Sequence, residues 1–137
     1  MCLICDKKPV VKRTGKDRVF YKILAVVKPS LGGGYRTPYV NNYVDLNKLI
    51  VEDETDDFHA SLYPDRYEVT LGGFHLFTNK RNAFTERNWL EKHCVPWNIE
   101  TYKVFKAVVP EGTPYIEGYF ELNNKSVVVK KVRYEEL

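Results

Sequence analysis

His75 stands on a short apolar run behind two glycines, Gly72-Gly73-Phe74-His75-Leu76-Phe77. An imidazole titrates near neutral pH and can serve as acid, base or hydrogen-bond donor. Glycine beside it lets a backbone approach a ligand closely. In strict strand alternation Phe74 and Leu76 share one face, and His75 and Phe77 share the other. The alternative is a structural histidine bonded to a carbonyl. No nearby serine or cysteine completes a recognisable triad. Gly32-Gly33-Gly34 precedes no helix, so it is not a phosphate loop.

Cations repeatedly adjoin aromatic rings: Tyr21-Lys22, Tyr35-Arg36, Tyr102-Lys103, Phe105-Lys106 and Arg133-Tyr134. Nucleotide and single-strand binding surfaces combine the same groups, although ordinary strands with one solvated face do so too. The candidate ligand-binding set is therefore Tyr21, Lys22, Tyr35, Arg36, Gly73, His75 and Phe77, expected to converge on one concavity. Ten tyrosines suit strand faces by propensity, or a surface that stacks on a ligand.

Cys2 and Cys5 have zinc-ligand spacing, and His93-Cys94 could add two more ligands. Adjacent residues chelate one ion poorly, so this set is the minor alternative to inert thiols. Neither a metal nor a cofactor is expected. Removal of Met1 would leave Cys2 with its own α-amine as a base, an activated-nucleophile arrangement. The acidic run Glu52-Asp53-Glu54-Thr55-Asp56-Asp57 lacks the glycine and distal glutamate of an EF-hand and reads as a solvated loop.

The elements that must position these residues are mainly strands. Residues 1–17 read as an irregular basic arm. Val19 to Val27 is nearly continuous in apolar residues, the mark of a central strand covered on both faces. Further strands are expected over Tyr43 to Val51, Tyr67 to Leu71, Phe74 to Phe77, Thr101 to Val109, Ile116 to Leu122 and Ser126 to Tyr134, with a hairpin loop at Asn123-Asn124-Lys125. Thr37-Pro38-Tyr39 should be extended, because a residue before proline avoids the helical region. Thr78 or Asn79 can cap one helix, about 79–93, whose face carries Ala83, Leu90 and Cys94. The expectation is one α+β domain over 1–137: a predominantly antiparallel sheet of about six strands with one main helix.

With 44% hydrophobic and 28% charged residues in 137, the chain can bury an adequate core, and wholesale disorder is excluded. A net charge of +3 does not by itself imply nucleic acid, which is compatible but not favoured. No apolar run approaches the roughly 20 residues of a membrane span. The start lacks the apolar region of a signal peptide, and three cysteines do not make a disulfide framework. The expected location is the cytoplasm of a bacterial host.

The order of the motifs adds a resemblance. A Val19-Phe20-Tyr21-Lys22-Ile23-Leu24 strand comes first, followed by Gly73-Phe74-His75-Leu76-Phe77 before a helix. Val108-Val109-Pro110-Glu111-Gly112-Thr113 then precedes a valine-rich strand. This order resembles a group of small phage and bacterial proteins, several opening with Met-Cys-Leu, and a segment found with some pentapeptide-repeat proteins. The resemblance spans most of residues 1–134. It implies the fold and directs attention to Gly73, His75 and Tyr21; it implies no activity.

Shorter likenesses exist too. The opening Met1-Cys2 resembles the start of class II glutamine amidotransferases and of abasic-site-sensing SRAP domains, with Leu3 where those have glycine. The Gly-apolar-x-Phe strand and helix resemble the middle of ADP-ribosyltransferase domains, but Glu117 and Glu121 lack the usual neighbouring partner.

Three readings follow. The leading one is a non-enzymatic binding protein of phage or mobile-element origin. It would sequester an anionic ligand such as a nucleotide signal, or block a host protein in an anti-defence role. The others are a nucleotide- or ADP-ribosyl-transferring enzyme, and an assembly module that forms virions or homo-oligomers by edge-strand pairing.

Overall fold

The computed structural model describes residues 3–38, 42–69, 72–121 and 124–137. Met1, Cys2, Tyr39, Leu71, Leu122 and Asn123, which carry parts of the expectations above, lie outside the described residues.

Thirteen strands and one α-helix succeed one another among the described residues: β1 Leu3–Cys5, β2 Lys12–Arg13, β3 Arg18–Val27, β4 Tyr35–Arg36, β5 Tyr43–Val44, β6 Leu49–Val51, β7 Ala60–Tyr63, β8 Arg66–Val69, β9 Phe74–Phe77, α1 Lys80–His93, β10 Ile99–Val109, β11 Pro114–Phe120, β12 Asn124–Val129 and β13 Lys131–Glu136. The main path of the sheet runs β6-β13-β10-β3-β9-β12-β11-β1-β8-β7, and every pairing is antiparallel.

The antiparallel sheet with one helix is as expected, but the strand count is thirteen rather than about six. Two expected strands are in fact pairs. The run from Tyr43 to Val51 breaks at Asn47, whose φ of 59° is left-handed, so β5 pairs with β4 while β6 pairs with β13. The run from Ser126 to Tyr134 breaks at Lys130, which turns inward between β12 and β13. The remaining additions are short. Leu3 to Cys5, placed by sequence in an irregular arm, form β1 between β11 and β8. Thr14 follows β2 and is buried, its hydroxyl donating to the Pro110 carbonyl at 2.7 Å, so the arm clasps the Pro110 to Thr113 turn.

β3 is central, as its apolar run predicts, and separates two cores. On one face Phe20 and Leu24 join Leu76, Phe105, Val127 and Tyr134. No helical residue contributes to this cluster, so the sheet must curl around it. On the other face Ile23, Ala25 and Phe77 pack beneath Ala83 and Leu90 of α1. A third cluster gathers Leu3, Cys5, Phe58, Val69, Ile116 and Val128.

The acidic run is not simply solvated. The Lys130 side chain is fully buried; its ammonium donates to Asp53 Oδ2 at 3.0 Å and to the Asp57 carbonyl, and lies 4.5 Å from the Phe58 ring centre. Lys131 meets Glu54 at 3.2 Å and Arg13 meets Asp56 at 2.8 Å. The loop is therefore a strap in which the carboxylates of Asp53, Glu54 and Asp56 are engaged by cations of the sheet.

Candidate functional site

The residues singled out by sequence fall on both faces of the sheet. Tyr21 stands opposite Phe77, the one pair joining β3 to β9. The two strands then diverge, and Lys22 reaches across to donate to the His75 carbonyl at 3.0 Å. The amine thus replaces a ladder hydrogen bond. Burial pushes its pKa down to about 8. Lys22 shares the inner face with Phe105, directly opposite it in register. His75 is buried on the other face, opposite Val128.

Gly73 serves packing at this junction. A Cβ there would lie 2.6 Å from Val128 Cγ1 and 2.7 Å from the Val129 carbonyl oxygen. The close approach expected of a ligand is taken by the neighbouring strand. Phe77 makes an edge-on contact with Phe120 at 5.7 Å between ring centres.

Tyr35 and Arg36 lie farther along β3, opposite Val26 and Ala25. That is roughly 13 Å from Tyr21 along the strand. The Tyr35 ring meets Phe105 edge-on at 5.1 Å, and the Arg36 guanidinium lies 5.3 Å from the Tyr43 ring centre. The structure therefore brings Tyr21, Lys22, Gly73, His75 and Phe77 together as one strand junction; the Tyr35 ring reaches the Phe105 ring opposite Lys22, and Arg36 lies apart.

The minor metal set fares similarly. Cys5 is buried in β1, its thiol donating to the Glu117 carbonyl at 3.4 Å, and burial raises its pKa. Cys94 is exposed beyond the end of α1 rather than on its buried face, because the helix ends at His93. Cys2 lies outside the described residues. Among the described residues no three His, Cys, Asp or Glu side chains gather closely enough to hold a metal ion.

Two other surfaces stand out. The first is an open groove of about 1070 Å³ where strand ends meet the start of α1, lined by Ile4, Asp6, Asp65, Tyr119 and Glu121 among others. None of the seven candidate ligand-binding residues lines it, although Glu121 and Asn124, from the late strand and its hairpin loop, do.

The second surface surrounds α1. Asn79 caps the helix as predicted, its Oδ1 accepting from the Arg81 and Asn82 amides. Ala83, Glu86 and Leu90 are buried against the sheet. A register shift between Ile99 and Thr101 of β10 is bound by the helix flank. Arg87 Nε donates to the Tyr102 carbonyl at 2.8 Å, and Glu91 accepts from the Thr101 hydroxyl at 2.5 Å.

With those inner charges engaged, the ionisable residues left exposed on α1 are Lys80, Arg81, Lys92 and His93, all basic. The lysines and arginine form no ion pair with a described residue. The chain has two tryptophans, and both stand here in solvent: Trp89 is 51% exposed and Trp97, in the loop after the helix, 77%. The Trp89 and His93 rings lie 5.0 Å apart, and Val95 is also exposed. Sequence reasoning missed this surface, although the helical period showed that Trp89 stands off the stripe of Ala83 and Leu90.

The chain matches no known family model, no curated protein and no solved structure. Among the described residues no helix is long and apolar enough to cross a membrane.

Proposed function

We propose that this chain is a non-enzymatic binding protein of phage or mobile-element origin, and that it blocks a host protein rather than sequestering a nucleotide. The observation that carries this reading is the exposure of both tryptophans on and beside α1. Tryptophan buries a large area with little loss of side-chain freedom and is enriched among the residues that dominate protein interfaces. Folding has no use for it in solvent. The phage origin rests on the resemblance of the motif order. The nucleotide version is weaker because Lys22, the most central of the candidate cations, is committed to the His75 carbonyl.

The test is affinity capture from a bacterial lysate with the wild-type chain and a Trp89→Ala/Trp97→Ala variant, beside a nucleotide panel read by melting temperature. The expected result is a protein held by the wild type and lost by the variant, whose melting temperature is unchanged. Equal capture by both chains, or a nucleotide that raises the melting temperature, would overturn the reading.

A further inference from the structure

The cations on α1 are distributed against the interests of the helix. A helix has a partial positive charge at its N-terminus, where acids stabilise it and bases do the reverse. Lys80 and Arg81 occupy that first turn, which contains no acid. Only Lys92 and His93, in the last turn, have the sign the dipole favours. The exposed positions Arg81, Asn88 and Lys92 are spaced i, i+7 and i+11, so they lie along nearly one line of the helix surface. Trp89 stands on one flank of that line, and Phe84, 38% exposed, on the other. Both acids of the helix face inward or sideways: Glu86 is buried, and Glu91 is bound to Thr101 and Tyr102. The nearest acid after the helix is Glu100, exposed at the start of β10.

We infer that the outer face of α1 docks an acidic protein surface, with Trp89 and Trp97 as apolar anchors and Arg81 and Lys92 pairing with the partner's carboxylates, while Lys80, on the far side of the first turn, adds long-range attraction. This deepens, and rests on, the host-protein reading above. Charge complementarity selects the occupant: the face presents cations without a neutralising acid, and Arg81, like Lys80 beside it in the first turn, stands where it weakens the helix that holds it. A few cations around large rings suit a protein hot spot. A single-stranded nucleic acid would call for a longer basic track.

Poly-L-glutamate, which has no fluorescence of its own, is a suitable probe. Tryptophan emission would be titrated with it for the wild type and for a Lys80→Glu/Arg81→Glu variant, with oligo-deoxythymidine in parallel. The expected result is a saturable change in the wild type that weakens at higher salt and at least tenfold in the variant. The variant should melt no lower than the wild type, because its new acids suit the helix dipole. Loss of binding therefore cannot be blamed on loss of fold.

An unchanged affinity in the variant, or a response to oligo-deoxythymidine alone, would overturn the inference. The two levels separate cleanly. If the tryptophan variant loses its captured protein but the charge-reversed variant keeps it, the host-protein reading stands and the acidic partner falls.

Discussion

Lys22 and Lys130 are both drawn out of water, yet their surroundings differ, and so do the expected responses to substitution. Lys130 has a carboxylate and a carbonyl within reach and holds the strap of residues 52–57 on the sheet. Replacing Lys130 with Met keeps the stem and removes the ammonium. The Asp53 and Asp57 oxygens then lose their donor, and a loss of about 2–3 kcal/mol in urea unfolding is expected.

Asp53 is held at about 2, chiefly by the Thr55 hydroxyl and then by Lys130, so its contribution fades as pH falls from the ordinary carboxylate range towards 2. Lys22 has the opposite sense. Its folded pKa is about 8, below the value of about 10.4 in an unfolded chain. Between those values the unfolded state binds more protons, and stability rises with pH. A Lys22→Met variant, followed by urea unfolding from pH 7 to 10, should lose that rise. Parallel curves for the two chains would show that Lys22 does not titrate in this window.

At the scale of elements, legibility followed length and punctuation. β3 was plain because the nine residues from Val19 to Val27 have no charged break except Lys22. The helix was plain because Asn79 begins it and Pro96 follows it. An Asn79→Ala variant should cost about 1 kcal/mol, since two amides lose their acceptor; an unchanged unfolding midpoint would show that the cap is idle. The missed strands β1, β2, β4 and β7 are only two to four residues long, too short to show a period. The division of β12 from β13 was hidden because its turn is made by a lysine with valines before it, not by glycine or proline. Lys130 turns there because its ammonium has a buried destination 77 residues away in sequence, at Asp53. Pairing at that separation has no local signal.

Seen as a whole, the molecule spends the chemistry first noticed in its sequence on holding the sheet together, and leaves different residues open to partners. His75, Gly73 and Lys22 were found by type and spacing, but type does not reveal that Val128 and Val129 fill the space beside Gly73. Trp89 and Trp97 passed unnoticed because large aromatic residues are ordinarily read as core. Their exposure is a property of the folded chain. β7 is exposed along its whole length and ends the sheet on one side. It offers a backbone edge, but lacks the concentration of rings and cations that marks α1.

The most direct test of a partner at α1 is fluorine NMR of the chain labelled with 5-fluorotryptophan, before and after adding the captured host protein. Two resonances are expected in the free chain, and both should shift or broaden as the rings leave water. Two resonances unmoved in the complex would contradict the account.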